Sequence, residues 1–189
     1  MPNDLQRCEW GGSDPLMIDY HDHVWGVPQH DDQSLFEFLL LEGAQAGLSW
    51  LTILKRKESY AEAFQHYDIE RIAAYGEADT ARLLADEGII RNRAKVASAI
   101  RNAKATLDVQ REFGSFDAYI WSFVDGTPRR NAFDSMSQIP PETELSKSMS
   151  RDLKNRDFNF VGPTICYAFM QAVGMVNDHL TACFRYDQI

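Results

Sequence analysis

The chain is short of several things, and each shortage excludes a class of protein. Its 189 residues contain no apolar run near the roughly 18 residues that a membrane-spanning helix needs. Only three cysteines occur, Cys8, Cys166 and Cys183, an odd and sparse set that makes a poor disulfide framework. The first ten residues, MPNDLQRCEW, lack a basic region followed by an apolar one, so no secretion signal is expected and the cytoplasm is the expected location. Positive charge is in deficit: 19 Lys and Arg against 28 Asp and Glu leave a net charge of −9. Such a balance argues against non-specific coating of nucleic acid, because phosphate contacts need local positive potential, but it leaves room for a local basic face. Repeats, low-complexity tracts and convincing period-two strands are absent as well.

What is present reads as helix nearly throughout. Asp14-Pro15 opens a short segment that Gly26 and Pro28 close. Asp31 or Asp32 can cap a helix with Leu35, Phe36, Leu39 and Leu40 on one face. Ser49 caps a helix over WLTILKRKESYAEAF with Leu51, Ile53 and Leu54 inward, and shorter helices follow at DIERIAAY and ADTARLLAD. Beyond Gly88, RAKVASAIRNAKATLDVQREF is a long helix with Val96, Ile100, Ala103 and Leu107 on one side, and DAYIWSFV is a short one. Residues 125–141, rich in Pro, Ser and Asp, form a loop expected to separate two groups of helices. TELSKSMSRDLKNR and the apolar GPTICYAFMQAVGMV complete an all-α chain, with Cys166 a core residue of the last.

One stretch stands apart. In LFEFLLLEGAQAGLSW the carboxylate of Glu42 sits inside an apolar run, followed by small residues, Leu48 and Trp50. Buried carboxylates are rare without a partner. Trp10, Tyr20 and Trp25 lie in the same third of the chain. Aromatic faces stack on flat rings and attract cations, and a nearby carboxylate adds attraction, so something flat and cationic fits between them. Core packing is the commoner fate of large aromatics.

Cysteine and histidine gather at the two ends: Cys8, His21 and His23 early, His179 and Cys183 late. In HLTAC the i,i+4 spacing puts both late side chains on one helical face. A structural zinc site takes four such ligands and would pin the two ends together. Spacing alone leaves open whether the two pairs meet, and whether His21 or His23 takes part. GIIRNRAKVASAIRNAK carries Arg91, Arg93, Lys95, Arg101 and Lys104 with no acid among them, which suits a few phosphate contacts or a solvated helix face equally well. FNFVGPTIC reads as a helix–turn–helix with Gly162 at the turn and Pro163 opening the next helix, whose free amides can hold a phosphate.

Taken together, CEW, DYHDHVWGVP, LFEFLLLEGAQAGLSWLTILKRKESY, GIIRNRAK, WSFV and FVGPTICYAFMQAVGMVNDH resemble the 3-methyladenine DNA glycosylase I family, from about residue 8 to residue 186. The resemblance implies an all-α helix-hairpin-helix glycosylase architecture: a single domain over 1–189, with two helical lobes around a base pocket. It implies excision of N3-methyladenine from alkylated double-stranded DNA by a monomer with no protein or membrane partner. It also implies one structural zinc joining the termini through Cys8, His21, His179 and Cys183, with His21 preferred over His23, and acting on the Trp10–Trp25 segment from a distance. Glu42 then reads the methylated base, with Tyr20 and Trp50 as its catalytic companions and Trp10 and Trp25 as further base-binding rings. Gly47 and Leu48 fill the space left by the extruded nucleotide, and Gly162, Thr164, Arg91 and Arg93 contact DNA.

Two departures from the wider superfamily matter. Phe160 stands where a hairpin glycine is common, and Thr164 stands where strand-cleaving members carry a lysine, so no Schiff-base nucleophile is expected there and strand cleavage is not. Asp178, beside His179, is not assigned a catalytic role.

Overall fold

The computed structural model describes residues 5–189 and is built almost wholly of helices. In chain order these are α1 (Pro15–His23), α2 (Asp32–Gln45), α3 (Trp50–Leu54), α4 (Lys57–Ala63), α5 (Ile69–Ala73), α6 (Glu77–Ala85), α7 (Arg93–Phe113), α8 (Phe116–Ser122), α9 (Glu144–Asn155) and α10 (Pro163–Ala172). Side-chain caps start several of them. Asp14 accepts from the Leu16 amide, Asp31 from Ser34, Ser49 from Thr52, Asn92 from Ala94 and Lys95, and Ser115 from Ala118. The choice between Asp31 and Asp32 falls to Asp31. Asp32 instead accepts from the Phe116 and Asp117 amides and from Gln110, tying the start of α8 to the start of α2.

The apolar run of α2 has a structural cause. Leu35, Phe38 and Leu39 belong to one hydrophobic core, with α8, α9 and α10; Phe36, Leu40, Leu41 and Ala44 belong to a second, with α4, α5 and α6. Leu35, Phe36, Leu39 and Leu40 therefore do not share one buried face. The helix is buried on two sides and lies between the two cores. α7 does the same, with Val96, Ala99 and Ala103 in the second core and Ala105 and Val109 in the first.

Three further expectations are corrected. The helix read over WLTILKRKESYAEAF is two helices, α3 and α4, broken at Lys55-Arg56, and Leu51 and Leu54 are only half-buried while Ile53 is fully inside. A strand pair does exist: Arg129–Arg130 (β1) runs parallel to Val176–Asn177 (β2). At two residues each it is too short for a period-two pattern to show. The HLTAC segment is a series of turns and not a helix, because the Thr181 and Phe184 amides bond to the distant Phe133 and Gln6 carbonyls.

The turn between α9 and α10 is held from outside. Asn102 on α7 donates to the Asn159 carbonyl at 3.0 Å and accepts from its amide at 2.8 Å, while Ser98 donates to the same carbonyl. Phe160 follows with φ of +54°, a conformation that glycine adopts without cost. Asn102→Ala removes both buried bonds and is expected to cost about 2 kcal/mol, a fall in Tm of roughly 4–8 °C by calorimetry.

Candidate functional site

α2 ends in an unusual way. Glu42 sits on its last turn, 5 % exposed, and no described group makes a hydrogen bond to its carboxylate. Burial pushes its pKa up from 4.5 to about 8. The carboxylate lines a cavity of about 330 Å³, together with Trp10, Tyr20, Trp25 and Trp50. That size suits one small planar molecule. Glu42 and the four aromatic residues singled out by type around it therefore share one hollow.

The rings form a connected wall. Tyr20 and Trp50 lie 5.2 Å apart between centroids, Trp10 and Tyr20 6.2 Å, and Trp10 and Trp25 4.9 Å edge-on. Tyr20 is buried, and desolvation first and the field of Glu42 second raise its pKa well above normal, so its hydroxyl stays protonated as a donor. The indole N–H of Trp50 is buried with no partner among the described residues. A donor and a carboxylate left bare beside one cavity are costly in an empty protein, and a polar ligand or water relieves the cost.

Sequence reasoning missed much of the lining. Gln45, Met136, Ile139, Pro140, Pro141, Tyr167, Ala168 and Gln171 also face the cavity. The Pro-rich stretch of 125–141 is thus a wall of the site, and it does not separate two groups of helices, because α8 before it and α9 and α10 after it pack in one core; its prolines read only as loop. Thr164, expected at a DNA contact, is exposed yet also lines this cavity.

Behind the rings lies the Cys/His cluster. The ligand atoms of Cys8, His21, His179 and Cys183 lie within 4.8 Å of one another and all four residues are buried. Cys183 Sγ is 3.5 Å from His21 Nε2 and 3.6 Å from His179 Nδ1, and Cys8 Sγ is 3.6 Å from His179 Nδ1. The hydrogen bond from Cys8, then those from His179 and His21, hold Cys183 as a thiolate. A thiolate beside a second sulfur and two imidazoles suits a cation, and this set can hold a metal ion. His21 is completed by Asp22, whose carboxylate bonds its Nδ1 at 2.8 Å and is itself gripped by Arg7 at 2.7–3.0 Å. Such carboxylate-backed imidazoles are the usual outer layer of a metal centre. His23 points outward to Asp19 and is excluded by position.

The cluster does not act from a distance. The His21 ring is 5.2 Å from Trp10 and the His179 ring 4.6 Å from Trp25, so the Cys/His cluster and the cavity share a wall.

Residues 10–186 of the sequence match the methyladenine glycosylase family. The chain belongs to that family. It is similar to DNA-3-methyladenine glycosylase 1 of Escherichia coli (strain K12), 47 % identical over 182 residues, covering 96 % of this chain and 97 % of that one. A crystal structure of 3-methyladenine DNA glycosylase I superposes with a TM-score of 0.92 at 51 % identity, covering 95 % of this chain and 98 % of that one. Another family structure, in complex with 3-methyladenine, gives 0.91 at 37 % identity, over 94 % of this chain and 96 % of that one.

The expected DNA-facing residues of this family member are placed unevenly. Leu48 is exposed at the tip beyond α2, following Gly47 at φ +78°. Gly162 caps α10 and Pro163 is its first residue. Of the basic residues, Arg91 is 3.5 Å from Glu87, and Arg101 pairs with Asp157. Lys95 turns inward and donates to the Ala44 and Ala46 carbonyls at 2.8 Å each, capping the C-terminus of α2. Arg93 is exposed and forms no ion pair among the described residues. The basic face is therefore thinner than the sequence suggests, because folding supplies acids and carbonyls from elsewhere in the chain.

Proposed function

We infer that this chain is a DNA repair enzyme that hydrolyses the N-glycosidic bond of 3-methyladenine in alkylated DNA and releases the free base. The observation that carries the reading is Glu42: a buried, unpaired carboxylate in a cavity walled by indole and phenol rings, in a chain of this family.

The chemistry follows from the substrate. Methylation at N3 puts positive charge on the adenine, which weakens the bond from C1′ to N9. That bond breaks with its electron pair passing to the base, which leaves neutral, and water adds to C1′ and loses a proton. No strong acid is needed to protonate the base. The protein's task is selection and electrostatic support. Glu42 accepts from the amino edge and attracts the cationic ring, Tyr20 and Trp50 stack and orient it, and Trp10 and Trp25 complete the wall.

The lesion reaches the cavity by base flipping, since a base stacked in duplex DNA cannot reach buried Glu42 in a recessed hollow. In this reading exposed Leu48, following the left-handed Gly47, fills the gap in the double-stranded DNA. Gly162, Thr164, Arg91 and Arg93 hold the backbone. The α9–α10 turn is a helix-hairpin-helix element, supported by the left-handed Phe160 in a position that suits glycine and by free amides at the start of α10. The chain works as a single domain of two lobes, one per hydrophobic core, and as a monomer. It is monofunctional, because Thr164 offers no amine for a covalent intermediate. An enzyme for chromosomal DNA in a bacterial family works in the cytoplasm; no described helix is long and apolar enough to cross a membrane.

The metal assigned to the Cys/His cluster is zinc. Zinc bonds of about 2.3 Å to sulfur and 2.0–2.1 Å to nitrogen would put sulfur and nitrogen about 3.5 Å apart, which the 3.5–3.6 Å separations here match. All four positions belong to protein, so the ion supplies cross-linking and not chemistry.

Incubation with methylated DNA, followed by chromatography of the released bases, tests the activity. Free 3-methyladenine with the strand left intact is the expected result. Lesion-dependent binding without base release would make the protein a binder instead.

A further inference from the structure

We propose that Gln171 is a specificity-determining residue, its amide oxygen fixed toward the cavity as a second acceptor by the buried carboxylate of Asp178. The inference rests on the reading of the cavity as the base pocket and adds a second contact to it.

Asp178 is 1 % exposed and receives three donors. Gln171 Nε2 donates to its Oδ2 at 2.8 Å, the Tyr167 hydroxyl donates to the same oxygen at 2.5 Å, and Asn131 Nδ2 donates to Oδ1 at 2.6 Å. A carboxylate offers acceptors only. The Gln171 amide therefore cannot turn over without setting oxygen against oxygen, and its NH₂ stays on Asp178. What remains is Oε1. No described group donates to it, and Gln171 is half-buried among the cavity-lining residues. Tyr167 also lines the cavity, but its hydroxyl is spent on Asp178, so it presents ring.

The cavity thus holds two acceptors of different character. Glu42, with a pKa of about 8, carries a proton for most of the time at neutrality in the free protein and can then act as a donor. An amide oxygen never can. Adenine carries an amino group at C6 with two hydrogens, enough for both acceptors. Guanine carries a carbonyl oxygen there, which a protonated Glu42 could still accommodate but which Gln171 Oε1 rejects. A site built to accept a hydrogen bond disfavours the analogue that cannot donate one, because both groups are left unpaired. Gln171 is thus the group that keeps N3-methylguanine out at all pH values, and Asp178 is the positioning residue behind it.

The test uses the full chain and DNA containing both N3-methyladenine and N3-methylguanine, with kcat/KM for each base measured from the free bases released. Gln171→Met keeps the length of the side chain and its tolerance in packing but removes the acceptor. The expected result is a fall of about tenfold in 3-methyladenine release with no fall for 3-methylguanine, so that their ratio drops by about tenfold. Should the Met variant fail to fold, Gln171→Ala removes the same acceptor and is read in the same way. A wild-type ratio in the folded variant, whether both rates hold or both fall together, overturns the inference. Asp178→Asn, whose amide can donate to Gln171 Oε1 and turn it over, is expected to lower the ratio too; an unchanged ratio there overturns the positioning role. Wild-type protein in the same assay separates the two levels. No 3-methyladenine release from wild type would defeat the functional reading itself, whereas normal release with an unaltered variant ratio defeats only this proposal.

Discussion

Glu42→Gln is expected to lower kcat/KM for 3-methyladenine release by roughly a hundredfold while raising the melting temperature. Both effects have one cause. The carboxylate is buried without a partner, so the folded protein bears the cost of its charge, and the cationic base is the group that repays it. Gln keeps the shape and can still accept a hydrogen bond, but it lacks the charge. The sign of the pH dependence follows from a folded pKa of about 8 against 4.5 for an ordinary glutamate. A raised folded pKa means that the group favours folding most below the unfolded value, and that this contribution is lost as pH rises through about 8. The stability advantage of the Gln variant should therefore grow between about pH 4.5 and 8 and then level off. Activity runs the other way. The free enzyme needs Glu42 ionised, so wild-type kcat/KM should climb with pH and flatten above about 8, and the variant should lack that limb. Unchanged release by the variant, or an identical pH profile, would remove Glu42 from the mechanism.

Cys183→Ser should lower the melting temperature by roughly 8–16 °C, the equivalent of about 4 kcal/mol in a chain of this length. The cluster joins Cys8 and His21 near one end to His179 and Cys183 near the other, so losing one ligand frees two otherwise separate segments. Wild-type protein should contain one equivalent of zinc, and chelation should reproduce the loss of stability. Because Trp10 packs on His21 and Trp25 on His179, the damage should also reach base binding. Below the melting transition KM should rise more than kcat falls, since Glu42 stands on α2 and not on the clamped segments. Metal-free protein with an unaltered melting temperature would show that the four residues merely pack together.

Local features were the legible ones. Capping by Asp14, Asp31 and Ser49 acts over two or three residues, so it can be read along the chain, and α1, α2 and α3 start where those residues stand. The aromatic residues and Glu42 were conspicuous by type. The breaks were harder: Lys55-Arg56 interrupts a helix that periodicity would have continued, and the β1–β2 pair is too short to carry a pattern. The family resemblance, in turn, brought together residues that no spacing argument could join.

The amino-acid sequence by itself determined the helical class, the helix starts and the residue types of the site, because those depend on neighbours a few positions away. Tertiary structure decided the remainder. Cys8 meets His179 across 171 positions, and Asn131 meets Asp178 across 47. Such approach places His21 and not the exposed His23 in the cluster, turns Lys95 inward and pairs Arg101 with Asp157. Burial explains the difference: the carboxylate of Glu42 gains its unusual proton affinity only when two cores close around α2 and take its water away.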